Sequence, residues 1–160
     1  MEKAREFLEK GAAGDGAARV SRLTFPPHKP HRESSFYEYF ILRGVRVDRV
    51  QPGSISLSFR VPPRLTDGEG NLARGAIASL IDEIGAAVIN EGSQPMDVSV
   101  DMSISYISAA KMNDELEITS RCLGRVGRYF GTTVLIQNKT TGEVVAEGRH
   151  SLFRVPASKM

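Results

Sequence analysis

The sequence predicts an α+β fold in which an antiparallel sheet wraps around one long central helix. Three observations carry the prediction. The segment from Leu72 to about Asn90 is apolar on nearly every side at helical spacing, as a helix buried on most sides must be. Two segments before it and four behind it show the period of two that marks half-buried strands. Consecutive strands follow one another with no helix between them, which argues against a doubly wound parallel sheet.

At the start, Ala4, Phe7 and Leu8 stand at helical spacing, and GAAGDGAA breaks that pattern, so a short helix on a flexible joint is expected. Those glycines lack the GxGxxG order and no strand precedes them; they read as linker, not as a phosphate loop. FPPHKPH is a Pro-rich connector whose His28 and His31 have no third ligand of the right type nearby, so a solvated loop is expected. The arm and connector take residues 1–33, the domain 34–155 and a tail 156–160. Ser34 reads as the cap of a short helix with Phe36, Tyr37, Phe40 and Ile41 on its apolar face, closed by Gly44.

Val45, Val47 and Val50 mark a first strand, Pro52-Gly53 a turn, and Ile55, Leu57, Phe59 and Val61 a second strand. Beyond the central helix, MDVSVDMSISYI alternates without a break. Val98, Val100, Met102, Ile104 and Tyr106 fall on one face, and Asp97, Ser99, Asp101, Ser103 and Ser105 on the other. Residues 115–123, 129–138 and 144–153 complete the set.

A chain of 160 residues that is 41% hydrophobic and 25% charged suits one soluble globular domain. Lys and Arg total 21 against 19 Asp and Glu, and a net charge of +2 disfavours nucleic acid as a partner, as does the lack of a basic, aromatic-studded strand. One cysteine, Cys122, excludes an intrachain disulfide and any zinc spacing, so no metal is expected and an intracellular setting is. No apolar run approaches the roughly 20 residues of a membrane helix, so no membrane insertion is expected. MEKAREFLEK has no apolar signal core. Ser158, Lys159 and Met160 differ by one conservative side chain from the Ser-Lys-Leu signal read by peroxisomal import receptors; a chance match is the other reading.

The central helix carries Asp82 and Glu83. A buried carboxylate costs several kcal/mol unless it is paired or neutralised. The pair therefore marks either a polar strip facing solvent or a subunit, or a chemical function. Neighbours on a helix point about 100° apart, so these two cannot share one substrate atom, and aspartic-protease and glycosidase readings fall away. Gly75 lies seven residues before Asp82 on nearly the same face, in the first turn. There a backbone N–H has no helical partner and no side chain blocks it, so it can serve as an oxyanion donor. Seven residues at about 1.5 Å rise put the two about 10 Å apart, more than one ester or thioester group spans. If both act in one reaction, Asp82 of one chain must meet Gly75 of another.

The segments LARGAIASLIDEIGAAVI, MDVSVDMSISYISAAKMNDELEITSRCL and NKTTGEVVAEGRHSLF resemble the small single-hotdog acyl-coenzyme A thioesterases, the branch that holds phenylacetyl-coenzyme A thioesterases and the thioesterase-superfamily acyl-coenzyme A hydrolases. The similarity runs over about residues 36–153. It implies a hotdog fold, a homodimer whose sheets join edge to edge, usually paired again into a homotetramer, and hydrolysis of acyl-coenzyme A with no metal or organic cofactor.

The resemblance also implies roles. Asp82 matches the buried acid that acts as general base or nucleophile, Gly75 the helix-start oxyanion donor, and Ser99 the hydroxyl that positions water across the interface. The family's His-Gly-Gly start reads Ala73, Arg74, Gly75 here, and Asp67 stands where an asparagine commonly lines the site. For coenzyme A the matching stretches offer Tyr106, Lys111, Arg125 and Arg128, a close backbone approach at Gly127, and Arg74 as a further phosphate contact. Each of these cations also reads as a solvated surface charge. His150 reads as packed or exposed, because no acid is spaced along the chain to orient it.

The missing histidine counts against a hotdog hydratase. Ala73 and Asp67 keep open a protein that binds acyl-coenzyme A or an aromatic ligand without turning it over. With acyl-coenzyme A as the implied substrate, Ser158-Lys159-Met160 reads as a peroxisomal import signal, with the cytoplasm as the other compartment.

Overall fold

The period-two segments pair into one antiparallel sheet of six strands. These are β1 (Val45–Gln51), β2 (Ser54–Arg60), β3 (Asp97–Tyr106), β4 (Glu115–Val126), β5 (Tyr129–Asn138) and β6 (Val144–Arg154), in the spatial order β1-β2-β4-β5-β6-β3. The computed structural model describes residues 2–29, 33–90, 92 and 97–155. His31 and Ser158-Lys159-Met160 lie outside the described residues. Among the described residues four α-helices precede or interrupt the strands, α1 (Glu2–Ala12), α2 (Asp15–Ser21), α3 (Phe36–Leu42) and α4 (Arg74–Ala87), with a 3-10 turn at Pro63–Leu65. By internal contacts the chain divides into residues 1–36 and residues 37–160. No helix among the described residues is long and apolar enough to cross a membrane.

In the first unit, the glycine-rich stretch expected as linker is partly helical. α2 starts at Asp15 behind Gly14, whose φ of 90° breaks the chain direction between α1 and α2. Ala17, Ala18 and Arg19 then favour helix strongly enough to carry Gly16. Neither α1 nor α2 buries a residue.

In the second unit, α4 lies on the concave face of the sheet. Ile77, Leu80, Ile81 and Ile84 pack into one cluster with Leu57, Phe59, Leu116, Ile118, Val134, Ile136 and Ala146. Fully burying one such side chain contributes about 1.5–3 kcal/mol, which is why an apolar helix folds here. α4 is shorter than its apolar pattern. Leu72 is held extended by donating its N–H to Ala110 O at 2.8 Å, and helical hydrogen bonding begins with Ile77 N–H to Ala73 O. This is the hotdog arrangement that the resemblance implies.

The unbroken alternation of β3 conceals an irregularity. Ser99 pairs with Leu152 but Asp101 pairs with Ser151, so Val100 is an extra residue in a bulge. Met102 pairs with His150, Ile104 with Gly148 and Tyr106 with Ala146. A bulge of one residue reverses the facing of everything before it. Ser99 therefore shares the helix-facing side with Met102, Ile104 and Tyr106, not the opposite side that strict alternation predicts. β3 is also an edge strand, with Val98, Val100 and Met102 exposed.

At the start of β3, Asp97 receives both Nε (2.9 Å) and Nη2 (3.1 Å) of Arg154, whose Nη2 also donates to Ile89 O at 2.8 Å. The two side chains are only 8% and 11% exposed. Removing Asp97 takes the bidentate carboxylate away from a largely buried guanidinium that keeps its bond to Ile89 O and its place over the Phe130 ring. Asp97→Ala should lose about 1.5–3 kcal/mol of stability in urea unfolding, the usual worth of hydrogen bonds to a charged group, and a loss below about 1 kcal/mol would contradict the buried-pair reading.

Candidate active site

Asp82 sits on the α4 face turned toward β3 and β6. The bulge delivers Ser99, whose Oγ donates to Asp82 Oδ1 at 2.7 Å. His150, on β6, brings Nε2 to 2.9 Å from Ser99 Oγ and 3.2 Å from Asp82 Oδ1. The Ser99 proton is committed to the carboxylate, so Nε2 carries the ring proton and donates it to Ser99 Oγ, standing 3.2 Å from Asp82 Oδ1. His150 Nδ1 has no partner among the described residues. Asp82 Oδ1 thus accepts from Ser99, Oδ2 receives no hydrogen bond from the described residues, and the Asp82 side chain remains 44% exposed.

These residue types suggest a Ser-His-Asp triad, but the wiring excludes one. In a triad the acid holds Nδ1 while Nε2 faces the serine. Here acid and serine both meet Nε2. Two sequence expectations also change. His150 does have an acid partner, supplied across the fold by α4. Asp82, expected to be buried, is half exposed in the single chain, and the fully buried member of the cluster is His150. Glu83 is the acid whose pKa rises, through desolvation first and then the nearby charges of Glu38 and Asp82.

Burial holds the His150 pKa below its usual 6.5, with Asp82 pulling the other way. An unfolded chain takes up this proton below about pH 6.5, while the folded one resists it, so stability falls as pH drops through that range. The melting temperature should decline on going from pH 7 to below 6.5, and less steeply in His150→Asn. Parallel declines in the two proteins would contradict the assignment.

A second group gathers at the start of α4. The amides of Arg74, Gly75 and Ala76 precede the first helical hydrogen bond, and Gly75 is exposed with open space around its Cα. The Arg74 guanidinium lies 5.5 Å from the centre of the Tyr106 ring, and the Tyr106 hydroxyl donates to Arg74 O at 3.4 Å. With Asp67, Asn71, Ile77 and Ser108 they line a cavity of about 350 Å³. Asp67 is occupied with its own loop. Its Oδ1 accepts the N–H groups of Glu69 and Asn71 at 2.9 Å each, and the Asn71 amide foremost holds its pKa low. Asp67 thus spends Oδ1 on its own turn while its exposed side chain borders the cavity. Lys111 reaches the same end of the sheet through its bridge to Asn71.

Arg125, Gly127 and Arg128 lie at the other end, in the β4–β5 hairpin. Arg125 Nε donates to Gly127 O at 2.6 Å, and its guanidinium lies over the Phe130 ring. Gly127 has a φ of 61°, which the two-residue turn requires whether or not a ligand approaches. The hairpin abuts the Arg154 end of β6, opposite Asp97, whereas Tyr106 ends β3 nine residues later. Nine steps of about 3.3 Å separate the two cation groups by about 30 Å within one chain. Asp82 and Gly75 are likewise held apart by the rise of their helix.

Comparison with known proteins gives the chain a family and agrees with its fold. The family model of the thioesterase superfamily matches residues 69–151, which hold α4, β3 and the Gly148–His150 stretch. The chain belongs to the thioesterase superfamily. Acyl-coenzyme A thioesterase 13 of Homo sapiens is 34% identical over 113 residues, covering 69% of this chain and 80% of the relative. Among solved structures, zebra fish thioesterase superfamily member 2 is 32% identical with a TM-score of 0.70, covering 78% of this chain and 89% of that one. The Mus musculus member 2 structure gives 32% identity and a TM-score of 0.68 over 74% and 87%. Within this superfamily chain, the residues missed in the sequence are those whose signal is spatial. Gly148 and His150 stand two apart on β6 and so share a face, the one available hint that a strand histidine points at α4.

Proposed function

We propose that this thioesterase-superfamily chain hydrolyses acyl-coenzyme A to free acid and coenzyme A, in sites that two chains build together. The observation that carries the reading is the half-occupied carboxylate of Asp82, with Oδ1 held by Ser99, His150 close beside it, and Oδ2 accepting no hydrogen bond from the described residues on a side chain that is 44% exposed. An acid held in this way is oriented to take a proton from water. The curated relative's name, acyl-coenzyme A thioesterase 13, supports the substrate class.

The steps follow from the groups present. Water held at Asp82 Oδ2 attacks the thioester carbon, and its proton passes to the carboxylate. The carbonyl oxygen takes up the negative charge and is stabilised by the free amides at the start of α4, with Gly75 the least obstructed. The carbon–sulfur bond then breaks, and the thiolate leaves and takes up a proton. Because Asp82 and Gly75 stand about 10 Å apart on one helix, the amide comes from the partner. Antiparallel pairing of two β3 edges places the Tyr106 end of one chain beside the Asp97 end of the other. The same arrangement unites Arg74, Tyr106 and Lys111 of one chain with Arg125 and Arg128 of the other around the coenzyme. Asp67 shapes the loop before α4 through Oδ1 and borders the cavity at the start of that helix.

Steady-state thiol release from short, medium, long and aryl acyl-coenzyme A tests the proposal. Turnover of at least one class is expected. Tight binding of these esters with no release would overturn it in favour of a ligand-binding role, which Ala73 and the inward-turned Asp67 favour.

A further inference from the structure

α4 rests on β6 through two reciprocal notches, each made by a glycine. On β6, Gly148 lies under Ile81; a Cβ added there would meet Ile81 Cγ2 at 2.5 Å, Cδ1 at 3.0 Å and Cγ1 at 3.3 Å. On α4, Gly85 lies over His150; a Cβ there would meet His150 Nδ1 at 2.9 Å, Thr132 Oγ1 at 3.1 Å and His150 Cβ at 3.4 Å. Neither glycine has the positive φ that would demand glycine for backbone reasons. Both are therefore required by close approach. Ile81 and Gly85 are four apart on the helix, Gly148 and His150 two apart on the strand, so a knob from each element enters the notch of the other.

Asp82 lies between the two notches on α4. We propose that Gly85 and Gly148 are positioning residues: together they set how deeply α4 seats on β6, and so hold His150 Nε2 against Asp82 and Ser99. The inference rests on the thioesterase reading of Asp82. Gly85 also explains the ring's protonation. Its bare Cα faces Nδ1 and offers it neither donor nor acceptor, so the ring proton stays on Nε2. The groups facing this ring are the Asp82 carboxylate from α4 and the hydroxyl of Ser99 from β3, while the Thr132 hydroxyl from β5 lies beside Gly85 and donates to His150 O at 3.3 Å.

Ordinary contact begins near 3.4 Å, so a methyl on Gly148 displaces Ile81 and its helix by up to about 1 Å, enough to cost about a hundredfold in rate when catalytic groups are misplaced. Gly148→Ala and Gly85→Ala should lower kcat by about 10- to 100-fold at nearly unchanged KM. Ile81→Ala removes the three carbons the new methyl meets. Gly148→Ala/Ile81→Ala should therefore regain kcat over Gly148→Ala while remaining less stable than wild type. Likewise, Gly85→Ala should cost less in a His150→Ala background, where the ring is gone and the 3.1 Å approach to Thr132 Oγ1 remains. Should Gly148→Ala fail to fold, the double variant and Gly85→Ala carry the same test.

Ring-nitrogen NMR of His150 gives a readout independent of turnover. The Nε2–H form is expected in wild type, with the Nε2 signal shifted in Gly85→Ala. Wild-type kcat in a folded Gly85→Ala or Gly148→Ala variant, no recovery with Ile81→Ala, or a proton on Nδ1 would overturn the proposal. Absence of turnover by the wild type with an intact Nε2–H signal would instead sink the thioesterase reading alone.

Discussion

Asp82→Asn should lower kcat toward acyl-coenzyme A by about 10²- to 10⁴-fold while leaving KM and the melting temperature close to wild type. The geometry makes this substitution clean. An asparagine can present its carbonyl oxygen where Oδ1 now accepts from Ser99, so the donor on β3 keeps its acceptor. Its amide nitrogen then occupies the place of Oδ2. That position changes from a proton acceptor to a donor, and a water there can no longer give up its proton. Ser99→Ala, by contrast, removes the hydroxyl that orients Oδ1 but leaves the carboxylate itself to take the proton, so its loss should be smaller. Thiol release measured across pH separates these cases, and equal turnover by Asp82→Asn and wild type would remove Asp82 from the mechanism.

What makes Asp82 work is only partly legible along the chain. The buried helix, the six strands and the 10 Å spacing from Gly75 follow from periodicity and helical rise, which are local properties. The Ser99 contact does not. MDVSVDMSISYI alternates perfectly as written, and the bulge at Val100 appears only when β3 pairs with β6. His150 was unreadable for a related reason: its acid lies 68 positions earlier and meets it only once α4 seats on the sheet. Asp67 adds a feature the position alone does not show: in the stretch Asp67-Gly68-Glu69-Gly70 its Oδ1 closes the turn, while the residue also borders the cavity. Local pattern predicted which elements form; pairing register and close approach decided which side chains meet.

Mixing two inactive variants should restore activity if the site is shared between chains. Gly75→Pro removes the proposed oxyanion donor at a first-turn position, where a helix tolerates proline and open space surrounds the Cα. By itself it should lose about 10²- to 10³-fold in kcat, the usual cost of one such donor. In a heterodimer of Asp82→Asn and Gly75→Pro chains, one site combines Asp82 of one with Gly75 of the other and is whole, while the second site lacks both. Random pairing into two-fold dimers makes half the dimers mixed, so co-refolded material should reach about one quarter of wild-type activity. A site complete within one chain predicts no recovery at all, since each parent would carry its defect into every dimer. The contrast is large because each parent alone is nearly dead, and it depends on no assumption about which acyl group is cleaved. Recovery also fixes the pairing: two helices must run antiparallel with the Gly75 end of one beside Asp82 of the other, which is the arrangement that brings both cation groups to a single coenzyme.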